Sequence, residues 1–361
     1  MPALPDTTTR FPLVPRPRPA CVPLHQRVEH LVTLAQTASD TMDASVASTV
    51  YNQAALLASD LGQPDHAREL CEQHATMYLS AAPLPAGSAI RALEPVVNLA
   101  RLQIRAGAPE DALDRLRRLL HAVSDGIETE FDAVRVPADL THTAADRTEV
   151  RDWLWRVLLA DGSRALATAG RWEEALTHLR EWKGVGQRML DGRQVAVVAA
   201  LAGDRTDQAA RLIAETAPGE PWEQAVTACL AALCHRAGTD PDELTDAVLA
   251  VLVAPGPVVF QTRLGLTALN LAPLASTATA QRITDQIHCR ILDADDGFAA
   301  REALVDPLFH KLVSPTQLTN LRVLIARSGL RTGALPSPLH RSLNAALDLS
   351  EDVIRESVLT P

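Results

Sequence analysis

The chain has 361 residues, 47% of them apolar but only 3% aromatic, and a formal net charge of −10. A core that must be built from alanine, leucine and valine suits closely packed helices better than a β-sheet. The acidic balance excludes broad binding to a nucleic-acid backbone, which needs clustered cations, and no apolar run reaches the roughly 18 uncharged residues of a membrane helix.

Residues 1–23 carry prolines at positions 2, 5, 12, 15, 17, 19 and 23 and the run Thr7-Thr8-Thr9. This composition predicts a disordered or polyproline-like arm that folding does not need. Helical periodicity begins near Pro23, with Val28, Leu31, Val32 and Ala35 on one stripe. A helix over 43–61, a turn at Leu61-Gly62-Gln63-Pro64-Asp65 and a return helix over 65–80 follow. Glycine at a helix end with an acidic residue opening the next helix is stop-and-start punctuation. The same punctuation recurs at Ala106-Gly107-Ala108-Pro109-Glu110, Ala169-Gly170-Arg171-Trp172-Glu173, Ala202-Gly203-Asp204 and Ala237-Gly238-Thr239-Asp240-Pro241.

Five residues after the turn glycine stands an alanine in three cases: Ala67, Ala112 and Ala175. Gln208 and Glu243 replace it in the last two. A small residue there lets paired helices approach closely. With Leu99-Ala100 and the large apolar Leu116, this pattern over roughly residues 43–252 resembles the tetratricopeptide repeat family. The resemblance implies an all-α fold, a right-handed α-solenoid of antiparallel helix pairs whose first helices border a concave, partner-binding groove.

The spacing of Gly107 and Gly170 leaves room for an insertion over 124–148. There Ile127, Thr129 and Phe131, then Val134 and Val136, alternate with polar residues, which predicts a short β-hairpin or extended loop that protrudes. Pro255-Gly256-Pro257 ends the repeats. Four helices (258–272, 278–292, 298–313 and 315–328), a linker over 333–338 and a last helical stretch over 338–358 complete the chain. The expected organisation is an arm (1–23), repeats (24–254), a helical continuation (255–332) and a terminal linker and helix (333–361).

No catalytic motif is present. Gly184-Val185-Gly186-Gln187-Arg188-Met189 follows a helix rather than a strand and lacks a third glycine, so it reads as a turn and not as a dinucleotide site. No cofactor is expected. Cys21, Cys71, Cys229, Cys234 and Cys289 are odd in number and scattered, which reads as reduced core thiols in a cytoplasmic protein. Cys229, Cys234 and His235 have the wrong spacing for a zinc frame. His178, His288 and His310 have no catalytic partner at a telling spacing. Only Lys183 and Lys311 among 34 cations are lysines, a bias of GC-rich, actinobacterial coding.

The residues nine before each turn glycine are Gln53, Asn98, Asp161, Gln194 and Cys229. Those six before are Leu56, Arg101, Arg164, Val197 and Ala232. Asn98, Arg101 and Arg105 share one helical face, and Arg164 extends the stripe. Arginines beside amides fork a carboxylate or phosphate; the opposing reading pairs them with Asp161 and neighbouring acids. The candidate peptide- or partner-binding set is therefore Gln53, Asn98, Arg101, Arg105, Asp161, Arg164 and Gln194. Trp153 and Trp155, about 200° apart on a helix, cannot both face a core. The leading expectation is a non-enzymatic, protein- or peptide-binding scaffold. The alternatives are an enzyme or enzyme subunit of lyase or cyclase type that tailors a ribosomal peptide such as a lanthipeptide, and a sensor fragment of a transcriptional regulator.

Overall fold

The computed structural model describes residues 6–234, 241–271 and 277–359. The fifth expected turn, from Ala237 to Asp240, and His235 lie outside these residues. Among the described residues the fold is all-α, with one two-stranded hairpin and a single isolated bridge between Leu84 and Thr141.

The chain forms two compact units, and neither is continuous in sequence. Unit 2 comprises Leu24–Ala165 and Gly329–Pro361; unit 1 comprises Met1–Pro23 and Leu166–Ser328. The structure thus divides the chain differently from the expected boundaries. The arm belongs with the second half of the chain, and the terminal helix belongs with the first. In chain order the helices are a 3-10 turn (Asp6–Arg10), then α1 (Leu24–Thr41), α2 (Ala44–Leu61), α3 (Pro64–Leu79), α4 (Ala86–Arg105), α5 (Pro109–Asp125) and α6 (Ala144–Val157). A π turn (Leu158–Gly162) leads into α7 (Ser163–Thr168), α8 (Trp172–Glu181), α9 (Asp191–Ala202), α10 (Thr206–Ala214), α11 (Pro221–Cys234) and α12 (Pro241–Val253). Next come α13 (Val258–Leu271), α14 (Thr277–Ala294), α15 (Gly297–Leu304), α16 (Pro307–Leu312), α17 (Pro315–Ser328) and α18 (Ser337–Leu359).

In unit 2, consecutive helices from α1 to α6 pack on one another, and α18 returns to cover α1, α2 and α3. The punctuation works as read. Asp43 caps α2 by accepting from the Ser45 and Val46 N–H groups. Gly62 ends that helix with φ +87°, a left-handed conformation that a side chain would strain, and Gly107 does the same for α4 with φ +82°. The returning chain supplies two further donors to the end of α2, from Arg331 N–H to Asp60 C=O (2.8 Å) and from Gly333 N–H to Leu61 C=O (2.8 Å). Ala67, Ala112 and Ala175 are fully buried, as a close helix contact requires. At the fourth turn the geometry changes. Gly203 has φ −90°, and Asp204 takes the left-handed position with φ +56°.

The insertion forms the expected hairpin. β1 (Thr129–Phe131) pairs antiparallel with β2 (Val134–Val136). It does not protrude: Phe131, Val134 and Val136 are buried against unit 2, and β1 and β2 rest on α5 and α3 respectively. The Arg115 and Arg118 guanidinium groups lie 5.3 and 4.9 Å from the Phe131 ring centre. Arg115 also donates to Asp132 at 2.7 Å. Beyond the hairpin, Leu84 N–H donates to Leu140 C=O (2.8 Å) and His142 N–H to Leu84 C=O (3.1 Å), which stitches the insertion to the start of α4.

In unit 1, helices α8 to α14 again pack in succession, and α15 sits on α13 and α17. The single helix expected over 298–313 is broken at Asp306, whose side chain caps α16 ahead of Pro307. The largest correction concerns the arm. Its described part, residues 6–23, is not a detached tail: Phe11, Leu13 and Cys21 are buried, and polar groups of unit 1 hold it at several points. Composition alone misread it because its anchors lie far away in sequence.

Candidate peptide-binding faces

Six of the seven candidate residues fall in unit 2, and Gln194 falls in unit 1. On α4, Asn98, Arg101 and Arg105 do share a face. Asn52 Nδ2 on α2 donates to Glu94 (2.9 Å), Asn98 Nδ2 donates to Asn52 Oδ1 (3.0 Å), and Arg101 Nη1 donates to Asn98 Oδ1 (3.0 Å). Arg101 then places Nε and Nη2 on Asp161 Oδ2 at 2.9 and 2.8 Å. Each amide accepts from one neighbour and donates to the next, so donation runs one way from Arg101 through Asn98 and Asn52 to Glu94, while Arg101 also donates to Asp161. Burial raises the Glu94 carboxyl above the ordinary carboxylate range, against the Asn52 hydrogen bond and the arginines nearby.

The π turn explains Asp161. One widened turn between α6 and α7 carries the carboxylate, with only 6% of its side chain exposed, beneath an arginine whose side chain is 50% exposed. Such turns concentrate at functional positions. The opposing reading of the arginines therefore describes their immediate partners: Arg101 is paired with Asp161. Arg105 donates to Ser59 (2.8 Å) and to Asp60 (3.2 Å), which the buried Arg27 also holds at 2.7 Å. Gln53 lies half-buried on α2 and Arg164 half-buried on α7.

Gln194, on α9, behaves otherwise. It is 0% exposed, and its amide grips the main chain of Leu13 from both sides. Leu13 N–H donates to Gln194 Oε1 (2.6 Å), and Gln194 Nε2 donates to Leu13 C=O (2.8 Å) and to Met189 C=O (3.0 Å). Around this clamp the arm has four more anchors. Arg10 pairs with the buried Asp306 at 2.5 Å, and Arg16 pairs with Asp191 in the first turn of α9. The Arg18 guanidinium lies 3.5 Å from the centre of the Phe298 ring. Cys21 N–H donates to Asp296 (2.9 Å) while Cys21 C=O accepts from Gly297 N–H (2.8 Å). Sequence reasoning found Gln194 through its column position and missed the others. A usable signal was present: Phe11 and Leu13 are apolar residues framed by arginines at 10, 16 and 18 in an otherwise acidic chain.

The remaining candidates resolve simply. Trp153 is half-buried and Trp155 exposed, with the buried Leu154 between them; of the tryptophans, Trp172 is in the core. Cys71 and Cys229 are buried and their thiols are pushed up to about 12 by desolvation, whereas Cys289 is exposed, against the expectation of a uniformly buried set. His178 and His288 are buried and His310 is exposed. Residues 184–186 are irregular and follow a turn at Trp182 and Lys183, with no strand before them. Among the described residues no group of three His, Cys, Asp or Glu side chains could hold a metal ion, and no helix is long and apolar enough to cross a membrane.

One buried histidine was not singled out by its sequence context. His74 on α3 is 1% exposed, stacked on Tyr51 at 5.3 Å and edge-on to Tyr78 at 5.8 Å. Neither ring nitrogen has a hydrogen-bond partner, and desolvation pushes its pKa down to about 3. Comparison with protein-family models, curated proteins and solved structures gives no match, so the functional reading rests on these residues alone.

Proposed function

We propose that the protein is a non-enzymatic, peptide-binding helical-repeat scaffold of the tetratricopeptide kind, its helix pairs antiparallel and wound as a right-handed solenoid. Its partner is an extended segment of another protein rather than nucleic acid or a membrane, and its scattered thiols suit the cytoplasm. The observation that carries this reading is the Gln194 clamp on Leu13. Gln194 occupies the column that also contains Gln53, Asn98 and Asp161. An amide that donates to and accepts from one residue's main chain recognises an extended backbone whatever its side chains.

In unit 2 the equivalent face is the ladder from Asp161 to Glu94. Its amides and the half-exposed Arg101 keep donor capacity for a peptide carbonyl or carboxylate. Because the arginines there already hold Asp161 and Asp60, the ladder suits backbone recognition and a single terminal or side-chain carboxylate better than a run of acids.

The test is selection of binding peptides from a random displayed library, followed by calorimetric titration of the selected peptides. The full chain would be compared with a variant carrying Asn98→Ala and Arg101→Lys, which keeps a cation beside Asp161 but removes the fork. A loss of affinity of at least tenfold is expected in a variant that remains fully folded at the titration temperature. Equal affinities would take the ladder out of the binding site.

A further inference from the structure

The arm is bound like a ligand. From Phe11 to Pro23 it forms no helix or strand, and it is held at separated points, from Arg10 at the end of the 3-10 turn through Leu13, Arg16 and Arg18 to Cys21. Between these points stand Pro12, Pro15, Pro17 and Pro19, which have no N–H to donate and favour an extended chain. Such a segment enters its seat with little ordering entropy left to lose.

The seat is built without it. Asp306 caps α16 through Phe309 N–H (2.7 Å) and accepts from Asn270 (2.7 Å) besides holding Arg10. Asp296 caps α15 through Ala299 N–H (2.9 Å) besides holding Cys21 N–H. Gln194 keeps Met189 C=O, and Asp191 lies in the favourable first turn of α9. These four side chains therefore retain a partner or a stabilising helix end when the arm leaves. A seat of that kind can exchange its occupant.

We propose that unit 1 contains a docking site for an extended, proline-rich segment with arginines flanking a buried apolar pair, and that this chain's own arm fills it in cis until a partner's segment of the same chemistry displaces it. The proposal rests on the peptide-binding reading above but concerns a different unit and different residues from the ladder. Charge supports the choice of occupant. Three aspartates face the arm in a chain of net charge −10, and the arm answers them with two arginines and a main-chain N–H. Arg10 and Arg16, on either side of Phe11 and Leu13, set the required spacing.

The experiment uses the full chain and a synthetic peptide of residues 6–23 with serine in place of its cysteine. Cys21 is fully buried in the seated arm, so alkylation of its thiol reports release; the buried Cys229 is the internal control. Peptide in excess is expected to speed Cys21 alkylation at least tenfold, with Cys229 unchanged. A second arm of the experiment loosens the arm with Arg10→Ala and Arg16→Ala, after which labelled peptide should bind at least tenfold more tightly than to wild type. Adding Asp191→Ala should reverse that gain. Unchanged Cys21 reactivity together with no gain in peptide binding overturns the proposal. A dimer that grows with protein concentration and disappears with excess peptide assigns the seat to a second copy and also overturns the partner reading. Neither result bears on the ladder variants, so the two readings fail separately.

Discussion

Both units pair buried carboxylates from within, Asp161 with Arg101 in unit 2 and Glu223 with Arg188 in unit 1, but unit 1 also uses such groups to hold an extended segment of chain. In unit 2 the partners are native to the helices: Arg101 covers Asp161, and Arg27 and Arg105 share Asp60. In unit 1, Asp191, Asp296 and Asp306 take partners from a segment at least 175 positions away in sequence, as does Gln194. The same helix-on-helix architecture thus closes these polar groups with helix residues in unit 2 and, in unit 1, partly with an added extended segment of chain. The first solution ties the buried carboxylates to the fold, with Arg101 half-exposed above Asp161. The second makes the polar groups a receptor.

The largest expected effect sharpens that contrast. Gln194→Ala removes the clamp and leaves buried main-chain groups of Leu13 and Met189 without partners, each costing about 1–3 kcal/mol. Release of the arm limits the total to about 3 kcal/mol, and hydrogen exchange should show the loss in unit 1 while unit 2 amides keep their protection. Equal losses in both units would break the comparison. Next come Ala112→Leu in unit 2 and Ala175→Leu in unit 1, each overpacking a fully buried helix contact by about 2 kcal/mol. Chemical denaturation should find both destabilised, and Ala108→Leu, at a half-buried turn position, nearly neutral. A harmless Ala175→Leu would mean that the two units do not share one packing rule.

Arg101→Ala is expected to cost about 1.5 kcal/mol, because Asp161 stays buried without its arginine. Adding Asp161→Ala should recover part of that loss in a double-mutant cycle. Additive losses would show that the ladder is not a coupled unit.

The smallest effect is set by pH. His74 stays neutral in the folded protein, with a pKa near 3, while in the unfolded chain it binds a proton near its ordinary 6.5. Its contribution is therefore complete above about pH 6.5 and is lost as pH falls from there towards 3. Between pH 7 and 5.5 the loss is about 1 kcal/mol. His74→Phe preserves the ring stack on Tyr51 and should remove that slope from the difference between denaturation curves at the two pH values. An unchanged slope would assign the acid sensitivity of unit 2 to another group.

Much of the fold is legible in the sequence because its causes are local. Glycines at 62, 107 and 170, the acidic residues that open the following helices and the three buried alanines all act within a few residues of themselves. So does the alternation that makes the hairpin from Thr129 to Val136. The polar face on α4 was visible for the same reason, since Asn98, Arg101 and Arg105 are neighbours on one helix.

Tertiary structure decided what depends on residues far apart. A proline-rich segment has no periodicity of its own, so beyond the hint of Phe11 and Leu13 framed by arginines, residues 6–23 do not reveal what the arm packs against. Gln194, Asp296 and Asp306 decide it, and they are 181, 275 and 296 positions from their partners. The π turn that presents Asp161 and the return of α18 onto α1, α2 and α3 have the same origin. Local propensity chooses the helices. Burial and long-range hydrogen bonding choose which unit each end of the chain joins, and so which polar groups become a site.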